Sequence, residues 1–251
     1  MPTPPTVPAL TLNTGARIPQ LGLGTARADD ATIRGTVARA LELGYRLLDT
    51  ASRYENERGV GQGIADAGLP REEVFVSTKL RGDDQGYEGA REALHGSLER
   101  LGLEYVDLYL VHWPLPRLDR YVESWHAMEE MRAEGLVRAI GVSNFLPEHL
   151  DRLARESGTV PAVNQIEMHP HLPQEAQRAD DARRGIVTEA WSPLGAGQGL
   201  LEEPALVRTA ERLGATPGQV VLAWHLHRGV VTFPAAFEED LLRQNLAAAG
   251  V

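Results

Sequence analysis

Short, nearly continuous apolar runs alternate with longer amphipathic segments along the whole chain, and this alternation restricts the fold more than any other feature. The runs fall at residues 20–24, 45–50, 74–79, 106–113, 138–144, 162–168, 186–194 and 229–235. Successive apolar residues, unlike strict polar–apolar alternation, mark strands covered on both faces. Between them, segments 30–43, 57–67, 87–101, 121–134, 202–213 and 217–228 carry helical periodicity, and glycines at 44, 68, 102, 135 and 214 mark helix ends. Strands joined through helices run parallel, with right-handed crossovers. Eight such units in 251 residues match the size of a closed (β/α)8 TIM barrel. A doubly wound open sheet is the competing arrangement. Asn13, Thr14 and Gly15, inside the stretch 10–18, predict a small hairpin ahead of the barrel. No linker or low-complexity tract interrupts the pattern, so one domain over residues 1–251 is expected.

Composition removes several classes of function. The net charge of −10 repels a phosphate backbone, so no nucleic-acid partner is expected. No apolar run approaches the roughly 18 residues that a membrane-spanning helix needs. The first ten residues hold four prolines and no basic residue, unlike a secretory leader. The lack of cysteine excludes disulfides, thiolate catalysis and cysteine zinc sites, and fits a cytoplasmic protein. Of the 25 basic residues only Lys79 is a lysine. Under such a bias a surviving lysine marks a place where arginine, bulkier and never deprotonated, does not serve.

In barrels of this kind chemistry sits at the C-terminal ends of the strands. The second predicted strand ends at Asp49, with Tyr54 in the loop beyond; the third ends at Lys79; the fourth reaches His112 and Trp113. Singly, Asp49 reads as a helix cap, Tyr54 as surface cover and His112 as a satisfied core histidine. Together, on three neighbouring strands, they form a set suited to carbonyl reduction, which needs hydride on carbon and a proton on oxygen. Asp49 would keep a buried Lys79 charged, and the ammonium would lower the pKa of the Tyr54 hydroxyl from its usual value near 10. Tyr54 would then act as general acid, with His112 donating a hydrogen bond to the carbonyl oxygen.

In order and local context, Asp49, Tyr54, Lys79 and His112 resemble the Asp-Tyr-Lys-His tetrad of the aldo-keto reductases. Further matching segments are 141–145 (Gly-Val-Ser-Asn-Phe), 164–167 (Asn-Gln-Ile-Glu) and 191–195 (Trp-Ser-Pro-Leu-Gly). The stretch around Val111–Pro114 and Trp191 is most similar to the 2,5-diketo-D-gluconic acid reductase branch. The resemblance covers about residues 8 to 246. It implies an NADP(H)-dependent reductase of small aldehydes and ketones, working as a monomer. It assigns Ser143, Asn144 and Gln165 to the nicotinamide carboxamide, and Trp191 to stacking on the ring. Leu194, Gly195, Ala196 and Gly197 would lie along the pyrophosphate, with Gly24, Thr25, Ser192 and Asn245 as further cofactor contacts. Trp113 would face substrate. Arg81, two residues beyond Lys79 where relatives often have an aromatic, reads first as a solvated loop arginine and alternatively as a substrate contact attracting carboxylated carbonyl compounds.

Two departures stand out. Members that use NADPH carry a lysine, a serine or threonine and an arginine after the eighth strand, where they hold the adenosine 2′-phosphate. Here Ala235, Ala236 and Leu241 occupy those positions, and Glu238, Glu239 and Asp240 add negative charge. That pattern favours NAD(H) as the alternative cofactor, with Arg243 the one cation able to rescue a phosphate. The chain also ends at Val251, early for the family, whose members continue with another helix and a substrate-covering loop; a shortened C-terminal segment or an open pocket is therefore expected. Competing readings are a metal-dependent hydrolase using His169 and His171 with Asp49 and His112, and a barrel that binds nucleotide without turnover as a sensor or partner module. The loose histidine spacing argues against the first and the intact tetrad against the second.

Overall fold

The computed structural model describes residues 6–251; Met1–Pro5, half of the proline-rich stretch that differs from a secretory leader, lie outside the described residues. A two-stranded antiparallel hairpin, β1 (Ala9–Thr11) and β2 (Arg17–Pro19), opens the chain. Eight strands follow in sequential order: β3 (Leu23–Gly24), β4 (Leu47–Asp49), β5 (Phe75–Leu80), β6 (Val106–Val111), β7 (Val137–Ser143), β8 (Val163–Glu167), β9 (Val187–Trp191) and β10 (Val231–Thr232). Every neighbouring pair is parallel. The ends of the sheet also meet: Gly22 N–H donates to Thr232 O at 2.8 Å and Thr232 N–H to Gln20 O at 2.7 Å. The sheet is thus closed, and the open-sheet alternative is excluded.

The helices α1 (Asp30–Leu43), α2 (Glu57–Ala67), α3 (Tyr87–Leu101), α4 (Tyr121–Ala133), α5 (Pro147–Glu156), α6 (Glu175–Arg184), α7 (Pro204–Leu213), α8 (Pro217–His227) and α9 (Glu239–Ala247) surround it. Two apolar layers result. Val37, Leu41, Leu94, Trp125 and Met128 pack between helices and sheet. Leu47, Phe75, Leu108, Leu110, Val163 and Phe233 fill the barrel interior, joined by Leu12 and Ile18 of the hairpin, which leads into β3 and seals the N-terminal end. Such layered filling makes the barrel a packed core rather than a pore. Helix α2 seats closely because Gly61 lacks a side chain: a Cβ there would lie 2.0 Å from Leu101 O.

The expected runs 106–113 and 186–194 contribute strands only to Val111 and Trp191; their last residues leave the ladder and become the walls of the mouth. The run 229–235 shortens to Val231–Thr232, because Pro234 has no N–H to give the ladder. Helix α6 buries Gln177, Asp180 and Asp181 rather than an apolar stripe, so apolar periodicity does not reveal it.

Candidate active site

Alternation along a strand sends every second side chain inward. Leu47 and Asp49 on β4, and Ser77 and Lys79 on β5, therefore point into the barrel, with the polar pair at the C-terminal end. Lys79 is wholly buried. Its ammonium donates to Asp49 Oδ2 at 2.6 Å, to Thr50 O at 2.9 Å and to Tyr54 Oη at 3.5 Å. All three donors of the ammonium are thereby used, in a slot that the planar fork of arginine does not match. Tyr54 arrives on the short turn Ser52–Tyr54, which is tied down by Ser52 Oγ donating to Lys79 O at 3.2 Å. The ring of His112 stands edge-on to that of Tyr54, with centroids 6.2 Å apart. The structure thus brings all four tetrad residues together.

Burial alone would strip Lys79 of its proton, but the Asp49 carboxylate outweighs it and holds the ammonium above its usual range. Tyr54 departs from the sequence-based expectation. Burial, reinforced by the Asp49 carboxylate, outweighs the Lys79 ammonium, so the phenol is raised rather than lowered and stays protonated. His112 is pushed down to about 3, first by burial and then by the charges of Lys79 and Arg53. It is a neutral imidazole near neutral pH and donates through one ring nitrogen only.

Beside this cluster opens a cavity of about 360 Å³, lined among others by Tyr54, His112, Gln165 and Trp191. Its polar walls hold one another in place. Trp191 Nε1 donates to Asn144 Oδ1 at 2.9 Å, and Asn144 Nδ2 donates to His112 O at 3.1 Å and Ser143 Oγ at 3.0 Å. Ser143 Oγ donates in turn to Gln165 O at 2.9 Å. Asn144 itself has φ of 63°, a left-handed conformation that asparagine tolerates better than most residues. The side chain of Gln165 donates to Asp49 Oδ1 at 3.0 Å and to Glu189 Oε2 at 2.8 Å, and its oxygen receives no hydrogen bond among the described residues. A free amide oxygen beside a half-buried indole face fits a flat ring bearing a carboxamide. Arg27, exposed on the rim and without an ion pair among the described residues, fits the diphosphate of a dinucleotide.

The remaining sequence-derived positions divide. Gly24, Thr25, Ser192, Leu194, Trp113 and Ala235 line the cavity. Gly24 also has a structural duty, because a Cβ there would lie 2.6 Å from Phe233 O at the barrel closure. Gly195 and Gly197 form the turn beside the cavity, whose wall is made by Ala196 between them. Asn245 is buried on α9, away from the lining. Arg81 does not line the cavity; it pairs with Asp83 at 2.9 Å. Around α9, Ala236 is buried and Leu241 exposed. Glu238 and Asp240 make no ion pair among the described residues, whereas Glu239 is clamped by Arg39 at 2.6 Å and Arg243 at 2.7 Å. Those two guanidiniums hold the Glu239 carboxyl down at about 2, and they already neutralise its charge. His169 faces Glu167 and His171 faces Glu203, and no cluster of three metal-ligating side chains occurs among the described residues. Sequence reasoning missed Arg27, whose only signal is a cation directly after the first barrel strand. It also missed Glu189, an acid inside an otherwise apolar run.

A closed barrel with a charged lysine–aspartate pair, a protonated tyrosine and a neutral histidine around one cavity defines an oxidoreductase of the carbonyl-reducing class. The sequence pattern of the Aldo/keto reductase family matches residues 19–251, and the chain belongs to that family. It is 44% identical over 242 residues to methylglyoxal reductase DkgA of Escherichia coli strain K12, covering 96% of this chain and 86% of that one. An aldo/keto reductase of Brucella melitensis superposes with a TM-score of 0.95 at 43% identity, over 98% of this chain and 94% of the other. Gox0644, solved as an aspartate-to-alanine variant in complex with NADPH, superposes with a TM-score of 0.94 at 40% identity, over 98% and 89% of the two chains.

Proposed function

We propose that the chain reduces small aldehydes and ketones, 2-oxoaldehydes such as methylglyoxal among them, with Tyr54 as proton donor and with relaxed or reversed preference for NADPH over NADH. The observation that carries this reading is the ammonium of Lys79, buried behind the cavity wall and bonded at once to Asp49 and Tyr54, which line it. A bound nicotinamide supplies the hydride. Tyr54 Oη gives its proton to the carbonyl oxygen as the alcohol forms, and Lys79 stabilises the tyrosinate left behind. Asp49 holds Lys79 charged and in place. His112, neutral, donates an N–H to the same carbonyl oxygen, which orients the substrate and favours the charge developing on it. Trp113, 47% exposed, offers an apolar wall to the substrate at the mouth.

At the adenosine end, a 2′-phosphate carries close to two negative charges and calls for cations. Ala235, Ala236 and Leu241 supply none, and Glu238 and Asp240 oppose it. The pairing of Arg39 and Arg243 with Glu239 keeps both guanidiniums engaged. The reading includes a monomer in the cytoplasm, in keeping with the cysteine-free composition. Two measurements test it: oxidation of NADPH and NADH with a panel of aldehydes, ketones and keto acids, and the Kd of each cofactor at low salt, where charge effects are least screened. No turnover with any carbonyl would sink the assigned chemistry. NADPH bound many times more tightly than NADH would sink the cofactor assignment and point to Arg39 or Arg243 releasing Glu239.

A further inference from the structure

Glu189 lies on β9 inside the barrel and is 1% exposed. A buried acid among apolar neighbours is costly unless it is neutral or paired, so its presence calls for a reason. It forms no ion pair among the described residues. Its Oε2 accepts from Gln165 Nε2 at 2.8 Å, while its Oε1 has no partner among the described residues. The same nitrogen of Gln165 donates to Asp49 Oδ1 at 3.0 Å. The amide NH2 therefore sits between two carboxyl groups, one from β4 and one from β9. Turning the amide over would set its oxygen against the Asp49 carboxylate, exchanging a hydrogen bond for a repulsive contact. Only one orientation survives, and it leaves the amide oxygen as an unused acceptor at the cavity wall.

We propose that Glu189 is a positioning residue that, with Asp49, locks the side-chain amide of Gln165 so that its oxygen is presented to the N–H of a cofactor carboxamide. The inference rests on the reading of this cavity as the nicotinamide site. Burial, with the Asp49 carboxylate adding to it, pushes the Glu189 carboxyl up to about 8. Near neutral pH the acid is uncharged, so it accepts from Gln165 without placing a second negative charge beside Lys79. Glu189 touches neither cofactor nor substrate in this arrangement; it acts through Gln165.

The test uses Glu189→Met, which keeps volume and removes the acceptor, and Glu189→Gln, whose amide oxygen still accepts from Gln165. Binding of NADPH, NADH and their 3-acetylpyridine analogues is followed by quenching of tryptophan fluorescence, with thermal melts as the folding control. The analogue has a methyl in place of the carboxamide nitrogen and so makes no use of the Gln165 oxygen. In Glu189→Met the affinity for the natural cofactors should fall about tenfold, the scale of one hydrogen bond, while that for the analogues stays nearly constant. Glu189→Gln should remain close to wild type toward both. Glu189→Asp, which withdraws the carboxyl by one methylene, should show the same selective loss at smaller size and decides the matter if the methionine variant does not fold. Equal weakening of cofactors and analogues would reduce Glu189 to a packing role and overturn the proposal, as would unchanged affinity in every folded variant. Wild-type protein that bound neither natural cofactor would overturn the cofactor reading itself, and this inference with it.

Discussion

The buried cluster beside the cavity and the start of α9 are built in opposite ways. In the buried cluster, Asp49, Lys79, Gln165 and Glu189 are all at most 2% exposed and form one hydrogen-bonded chain, in which each group is placed by the next. At the start of α9 most side chains lie on the surface, and charges pair in an exposed network of Arg39, Glu239 and Arg243 with 39–49% exposed side chains. Low dielectric makes each interaction of the first kind strong and each omission expensive, whereas solvent screens the second. The buried end therefore has little freedom to vary its residues without losing its chemistry. The exposed region bears substitution at less cost, because solvent screens its charges.

Three experiments would break or sharpen this contrast. The largest effect is expected at the centre of the buried chain. Lys79→Met leaves Asp49 uncompensated, which costs about 3–5 kcal/mol for a buried pair deprived of one partner. Chemical denaturation should register that loss, and Asp49→Asn in the same background should recover much of it. Stability within about 1 kcal/mol of wild type would mean that the interior is wetter than the structure implies. Next, Tyr54→Phe removes a hydroxyl but almost no volume. Folding and cofactor binding should persist while turnover drops about 10²-fold or more, as for a positioned acid. If most of the carbonyl reduction survived, another group would have to be supplying the proton. The smallest effect belongs to the exposed end. Ala235→Lys with Glu238→Arg should tighten NADPH relative to NADH by about tenfold at low salt, and the gain should shrink as ionic strength rises. A gain insensitive to salt would contradict an electrostatic origin.

Much of the site was visible before any fold was known. Lys79 stood out as the only lysine, and Asp49, Tyr54 and His112 were placed by the strand ends they follow. Glu189 was overlooked because a single acid within 186–194 does not spoil a predominantly apolar run, although a charge in a strand buried on both faces is itself a signal. Arg81 drew attention through proximity in sequence to Lys79. The turn after β5 instead carries it to Asp83 and away from the cavity lining.

The sequence by itself determined the order of strands and helices, and with it the parallel barrel, because periodicity and crossover handedness are local consequences of the chain. It also determined which side chains reach the C-terminal mouth, since inward and outward positions alternate by residue along each strand. Only the tertiary structure decided the direction of the Tyr54 shift, the pairing of Glu239 with Arg39 and Arg243, and the placing of Gln165 between two carboxyl groups. Arg39 and Glu239 are 200 residues apart, as are Gln165 and Asp49 by 116. Burial and charge depend on what closes around a group in space, and no local pattern encodes neighbours drawn from opposite ends of the chain.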